Sequence, residues 1–335
     1  MELITSQNNF DDFLKTRFVS GAFLQSSFWQ DFLKTQDKNF WQLAVLENNQ
    51  VIASCLLYEK KLPFAKSYLY APKGPIFASQ LTDQQKQAAL SLILSKVRDV
   101  TVKTKKYEEI FFKLETNSKT KILSELIKTP DIQPRDTWVL DIDKDHKTLL
   151  GNMHAKTRYN ISLAKRKGVK IKFSKNPDDI KYFLELISKT AKKNQIVVHS
   201  DNYYKLLWQA ILKNKTGQIA LAEVDDKIVA ANIIIYFGQA AIYVHGASDY
   251  NYRKFMAPHL LQWETIKQAM EHGYKIYDWW GIAPDDNSKP AWAGFTRFKK
   301  SFGGRGIQAV GSYDFVFDKT SYKLYKLASK LKKIL

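Results

Sequence analysis

The chain has 335 residues, 45% of them hydrophobic and 13% aromatic, and carries a formal charge of +19 at pH 7. That length and apolar content exclude a disordered chain and favour two domains with ordinary cores, while the single cysteine, Cys55, excludes a disulfide framework and a thiolate metal site. So large a positive charge implies an anionic partner (nucleic acid, an acidic membrane surface or a phosphorylated substrate) unless it only solvates lysine-rich faces.

Residues Met1 to Asn9 lack the basic-then-apolar order of a signal peptide, and no apolar run approaches the ~20 residues that span a bilayer. A cytoplasmic protein is therefore expected. Helical segments are predicted between Phe10 and Lys34. Strand, polar turn and strand then follow, the turn being Glu47-Asn-Asn-Gln50, and a third strand from Ser67 runs into the turn Ala71-Pro-Lys-Gly-Pro75. A helix over 84–98 carries Leu90, Ile93, Leu94 and Val97 on one face, and a buried strand, Glu109 to Glu115, closes the unit. After a polar stretch near 142–150 come helical segments over 149–167 and 177–214.

The same order then recurs. A hairpin begins at Gln218 and turns at Asp225-Asp-Lys227; a third strand covers Ala241 to Asp249. A helix over 258–272 carries Leu260, Trp263, Ile266 and Met270, and the strand Lys275 to Trp280 closes the copy. Antiparallel strands, helix and strand, found twice, predict an α+β fold of two related domains with mixed, largely antiparallel sheets flanked by helices. The expected division is 1–145, 146–315 and a basic amphipathic helix over 316–335. The apolar stripe of that helix (Tyr322, Tyr325, Ala328, Leu331, Leu335) docks on the first domain or touches a membrane surface, and docking is favoured.

Two segments carry candidate chemistry. Lys156, Arg158, Lys165, Arg166 and Lys167 form a dense positive stripe before Gly168, suited to the phosphates of a polyanion; the plainer reading is that cations near a helix C-terminus complement its dipole. In Gly294-Phe-Thr-Arg-Phe-Lys-Lys-Ser-Phe-Gly-Gly304, Lys299 stands among aromatics, where a cation can meet developing negative charge, and the glycine pair permits positive φ or close backbone approach. At strand spacing Lys299 and Lys300 would point to opposite faces, and an edge-strand lysine that merely snorkels is the ordinary alternative. Between Tyr252 and Gln262 a helix start could face an anion or a carbonyl. The histidines (146, 154, 199, 245, 259, 272) have no metal-ligand spacing, no P-loop or Gly-x-Ser-x-Gly elbow occurs, and Cys55 reads as a core thiol, so neither metal nor bound cofactor is expected.

The duplicated unit resembles tandem acyltransferases of the GNAT type. Ala71-Pro-Lys-Gly-Pro75, Lys156-x-Arg-x-Asn-Ile-x-x-Ala-x-x-x-Gly168, Ala257-Pro258, Tyr277-Asp-x-x-Gly281 and Gly294-x-x-x-Phe-Lys-x-x-Phe-Gly-Gly304 together resemble the FemABX family over nearly the whole chain. The second domain lacks the long coiled-coil insertion of some members. The resemblance implies an aminoacyl-tRNA-dependent ligase that builds peptidoglycan cross-bridges. The stem-peptide amine of UDP-MurNAc-pentapeptide, or of a lipid-linked form, would attack the ester carbonyl of the charged tRNA.

On that resemblance Lys299 stabilises the oxyanion, and Glu115 orients or deprotonates the amine. Lys34 lies near the family's Trp-x-x-x-Lys phosphate contact, one residue further from Trp29. Tyr203-Tyr204 resembles a Tyr-Phe pair, but the arginine expected just before it reads His199; that departure weakens the case for the soluble UDP form and leaves open a lipid-linked acceptor reached with help from the basic tail. Lys73, Tyr243, Met256 and Phe298 are the further candidates for substrate contact, and the stripe from Lys156 to Lys167 the candidate for tRNA. A monomer is expected, possible contact with the inner membrane face included. Two other classes remain open: a CoA-dependent N-acetyltransferase, whose glycine-rich pyrophosphate turn is missing at Arg253-Lys-Phe-Met-Ala-Pro258, and a non-catalytic RNA-binding protein, which leaves the Phe-Lys-x-x-Phe segment unexplained.

Overall fold

In the computed structural model of the chain, residues 1–5, 10–101, 107–117, 125–284 and 292–334 are described. They divide into two compact units, Met1–Arg135 with Gln308–Leu335, and Asp136–Ile307.

The first unit contains β1 (Glu2–Thr5), α1 (Asp11–Lys15), α2 (Ser27–Thr35), β2 (Phe40–Glu47), β3 (Gln50–Lys61), β4 (Lys66–Ala71), β5 (Ile76–Phe77), α3 (Asp83–Thr101), β6 (Glu108–Thr116) and β7 (Leu126–Thr129). The second unit follows with β8 (Asp136–Asp141), α4 (His146–Asn152), α5 (Ala155–Arg166), β9 (Lys170–Ser174), α6 (Ile180–Asn194), α7 (Asp201–Asn214), β10 (Gly217–Val224), β11 (Lys227–Phe237), β12 (Ala240–Ser248), α8 (Ala257–Glu271), β13 (Ile276–Gly281), α9 (Ala293–Lys300) and β14 (Arg305–Gln308). The chain then returns to the first unit as β15 (Gly311–Val316) and α10 (Lys319–Ile334).

The two sheets repeat one plan. Strand order is β1-β2-β3-β4-β6-β15-β7 in the first, with β5 on β3, and β14-β8-β13-β12-β11-β10-β9 in the second. Both hairpins turn on two residues at positive φ, Asn48 (50°) and Asn49 (62°) in one, Asp225 (47°) and Asp226 (58°) in the other. Asn and Asp tolerate that conformation, and the resulting mirror-image turn matches the twist of the strands. In each unit a helix then crosses over, and the next strand pairs in parallel: β4 with β6 across α3, β12 with β13 across α8. Leu90, Ile93 and Val97 of α3 and Leu260, Trp263 and Ile266 of α8 are buried, as the helical period requires. Cutting one such aliphatic side chain to alanine costs about 2–5 kcal/mol.

Two corrections to the domain division follow from strand pairing. The second unit starts at Asp136, not at 146, because β8 is an inner strand that pairs with β13 through Asp141↔Ile276. Residues 311–316 belong to the first sheet, where β15 lies between β6 and β7.

Helix α10 rests on the first unit through its tyrosines. The Tyr322 hydroxyl donates to Asp314 Oδ2 at 2.8 Å, and Asp314 pairs with Lys113 at 2.7 Å where both side chains are buried. The Tyr322 and Tyr325 rings stand 5.3 and 5.0 Å from that of Phe111. The expected stripe divides, however: Ala328 and Leu331 are exposed, and Leu335 lies outside the described residues.

Candidate functional site

In the second unit the site grows from a parting of two strands. β12 and β13 pair over three positions, Ala240–Ile242 with Ile276–Asp278. Beyond them β12 shifts register against β11, so that Ile233 meets His245 while Ile234 meets Tyr243. β13 is irregular between Asp278 and Gly281, and Trp280 there takes a left-handed conformation, φ 60°. A bulky residue adopts that backbone only when its surroundings impose it. The fully buried Asp278 does so in part, accepting from the Trp280 N–H at 2.8 Å.

The distortion aims the Gly281 carbonyl at Lys299, whose Nζ donates to it at 2.7 Å. The segment around Lys299 is the helix α9, not a strand. Its aromatic spacing is helical on inspection: Phe295 and Lys299, and Phe298 and Phe302, are i,i+4 pairs. Lys299 is only 8% exposed, with its ammonium 5.5 Å from the Tyr243 ring centroid and 5.2 Å from that of Phe295. Burial pushes its pKa down to about 7, and the nearby Asp278 carboxylate opposes that fall. Lys300, a third of a turn away, lies 5.1 Å from the centroid of Trp138 instead. The glycine pair after α9 fits against β8: a Cβ on Gly304 (φ 99°) would come 2.2 Å from the Val139 carbonyl oxygen.

Beside Lys299 opens a cavity of about 320 Å³, walled mainly by apolar atoms of Tyr243, Gly246, Met256, Phe295 and Phe298. Gly246 is demanded by geometry, since a Cβ there would stand 1.9 Å from the Tyr243 hydroxyl. Two amides meet the cavity wall. Gln262 accepts from the buried Tyr277 hydroxyl at 2.6 Å and also hydrogen-bonds Tyr243. Asn232 is 4% exposed, and its Nδ2 meets no acceptor among the described residues. A buried donor without a partner, facing a cavity, is suited to a ligand oxygen. Exposed Tyr250 and Arg253 carry the wall outwards, and Lys193 and Arg253 both stand over the Tyr250 ring, at 3.5 and 4.3 Å from its centroid.

His199 stacks on Tyr203 with centroids 3.9 Å apart, and both rings approach His245, at 5.9 and 6.1 Å. Burial, aided first by the neighbouring His199 and then by Lys299, pushes the His245 pKa down to about 3, so the ring is neutral at pH 7. Lys156, Arg158, Lys165, Arg166 and Lys167 are all exposed on or just after α5. Lys165 pairs with Glu264 at 3.3 Å, and Lys167 donates to the Lys254 carbonyl at 2.6 Å, joining the stripe to the segment that carries Arg253. Pro258 has no N–H to offer, and the His259 N–H turns back onto Met256, so the start of α8 is poorly equipped to hold a pyrophosphate.

The remaining candidates lie in the first unit. Glu115, 3% exposed, accepts from Tyr70 Oη (2.5 Å), Ser312 Oγ (2.9 Å) and the N–H groups of Ile132 (2.8 Å) and Gln133 (2.9 Å). Four donors occupy its carboxylate, which ties β4, β6, β15 and the chain before Arg135 together and leaves little room for an incoming amine. Buried Lys73 donates to the Pro134 carbonyl in the same region. Lys34 sits in the last turn of α2, its side chain 60% exposed, paired with Asp31 at 3.2 Å.

Asn232, Gln262, His245 and Asp278 were not singled out by sequence reasoning as site residues. For Asn232 a signal existed: it is the one polar residue in Ile228-Val-Ala-Ala-Asn-Ile-Ile-Ile235. Asp278 stands in the quoted Tyr277-Asp-x-x-Gly281 pattern, but its hold on the Trp280 N–H arises only from the strand irregularity.

Comparison with known proteins agrees with this architecture. The sequence model of the FemAB family matches residues 5–227 and 212–330. A protein of Staphylococcus epidermidis named lipid II:glycine glycyltransferase is 24% identical, over 98% of this chain and 95% of its own. Among solved structures, FemX superposes with a TM-score of 0.81 at 19% identity, covering 97% of this chain and 99% of its own. A tandem GNAT protein from the clavulanic acid biosynthesis pathway gives 0.54 at 10% identity, over 93% and 97%. These likenesses carry the fold, and the α+β class with two GNAT-like units is the observed one.

Proposed function

The chain belongs to the FemAB family, and we propose that it is an aminoacyltransferase acting on a peptidoglycan precursor, which it extends at the stem-peptide amine with an amino acid delivered by an aminoacyl-tRNA. A relative named for lipid II and glycine supports the acceptor class. The observation that carries the reading is the buried ammonium of Lys299, held by the Gly281 carbonyl beside an aromatic cavity with an unpartnered amide donor.

In the reaction, the acceptor nitrogen attacks the ester carbonyl carbon. A C–N bond forms, the bond from carbon to the ribose oxygen breaks, and the proton lost by nitrogen ends on that departing oxygen. Negative charge passes through the carbonyl oxygen on the way. Lys299 is placed to oppose it in a site of low dielectric, where one preorganised donor is worth roughly 3–4 kcal/mol of barrier. Asn232 supplies a second donor for the ester or the amino-acid moiety. Lys156, Arg158, Lys165, Arg166 and Lys167 take the tRNA backbone. The geometry of Glu115 favours a structural part over that of a base. With His199 stacked on Tyr203 where the family resemblance leads one to expect arginine, a lipid-linked acceptor is the favoured form. No metal or bound cofactor is required by these steps.

The deciding experiment incubates the protein with individually charged tRNAs and either UDP-linked or lipid-linked muramyl pentapeptide, and weighs the product by mass spectrometry. An added aminoacyl residue on either acceptor supports the reading and identifies both substrates. Acetyl transfer from acetyl-CoA, with no product from charged tRNA, would replace it with the N-acetyltransferase alternative.

A further inference from the structure

Helix α10 has a third face that its docking leaves uncovered. Its tyrosines, Tyr322 and Tyr325, point at Phe111 of the first unit. Leu324, Leu327 and Leu331 point elsewhere and are 64%, 58% and 55% exposed. At about 100° per residue, their spacing of three and then four gathers them into one narrow stripe away from the tyrosines. Lys319, Lys323, Lys326 and Lys330 recur with the same period and form a second row along its flank.

From this juxtaposition we infer that α10 is a membrane-surface helix: it lies in the interface of an anionic bilayer, with the leucine stripe among the acyl chains and the lysine row at the headgroups. An exposed leucine row is costly in water and gains by insertion, and a parallel cationic row selects anionic lipid. Nucleic acid would engage the lysines but offers nothing to the leucines. A second copy of the chain would cover the leucines but would bring two lysine rows together, in a protein already carrying +19. No described helix is long and apolar enough to cross a membrane, so α10 lies on the surface rather than spanning it. The inference rests on this helix alone and not on the transferase reading.

The test is binding of the full chain to extruded phosphatidylcholine vesicles, with and without roughly one-third phosphatidylglycerol. The chain should sediment with the anionic vesicles and not with the neutral ones. Lys323→Gln with Lys330→Gln should weaken binding about 25-fold, at about fivefold per lysine. Replacing Leu324, Leu327 and Leu331 together by serine should weaken it roughly 100-fold, with the melting temperature unchanged because these side chains are already exposed. In Leu327→Trp, tryptophan emission should shift to the blue on adding anionic vesicles. Absence of binding at low salt would overturn the inference, as would undiminished binding of the serine variant. So would a leucine-dependent dimer in the absence of lipid, because that would identify a second copy as the occupant.

Discussion

Lys299→Met separates catalysis from stability. Methionine matches the lysine stem in length and burial but carries no charge. The lysine pKa falls from 10.5 to about 7, so keeping the ammonium charged in the folded protein costs roughly 5 kcal/mol, at 1.36 kcal/mol for each tenfold change in proton affinity. Methionine removes that cost but deprives the Gly281 carbonyl of its donor, a loss of about 1–3 kcal/mol. The variant should therefore be more stable by about 2–4 kcal/mol, and its melting temperature at pH 6.5 should rise by roughly 3–6 °C. The direction with pH follows from a folded pKa below the unfolded one. The penalty is fully present below about pH 7, shrinks as pH rises, and is gone above 10.5, so the advantage of the variant should fade across that window. Turnover should meanwhile fall roughly 100- to 1000-fold. Differential scanning calorimetry at several pH values, with product formation measured by mass spectrometry, reads both effects. A variant as active as the parent, or one that melts lower at pH 6.5, would refute the idea of a charged group held at a cost for catalysis.

Three further outcomes are expected. As pH rises through about 7 the Lys299 cation is lost, so the alkaline limb of kcat/KM should fall in that range and move upwards in Lys299→Arg, whose charge persists; a rate that climbs steadily past pH 8 in the parent would make Lys299 a base instead. Replacing Lys165, Arg166 and Lys167 together by alanine should lower the log–log salt dependence of tRNA binding by about 2, at roughly 0.7 per phosphate contact, and an unchanged slope would leave the stripe as a solvated face. Glu115→Gln should lower the melting temperature, since all four donors lose a charged acceptor and one is left facing an amide N–H, at a cost of about 1.5–3 kcal/mol, while kcat per folded molecule stays within a few-fold; a large loss of kcat with stability intact would restore it as a catalytic base.

What could be read in the sequence, and what could not, divides by the range of the interaction. The hairpins were legible because their turns are made by two adjacent residues, Asn48-Asn49 and Asp225-Asp226, and helices α3 and α8 because one side of each must be apolar at every third or fourth position. The domain boundary was not, because it depends on where β8 finds a partner, and that partner, β13, lies more than a hundred residues ahead. β15 was missed for the same reason: it crosses back to a sheet begun three hundred residues earlier. The strand reading of the Phe298-Lys299 segment rests on the lysine standing among aromatics, whereas Phe295, Phe298 and Phe302 are spaced three and four apart, which is the helical period. That spacing sets Phe298 and Phe302 against Trp279 while Lys299 turns towards Gly281. The identity of the lysine was thus visible while its chemistry was not. A lysine acquires a pKa near 7 only where folding buries it, and here that takes α9, a bulge in β13 held by Asp278, and the Tyr243 ring from β12. Three separate segments, β12, β13 and α9, make one perturbed amine. That is why a motif of a few residues could mark the position and still give the wrong face for its neighbour, Lys300.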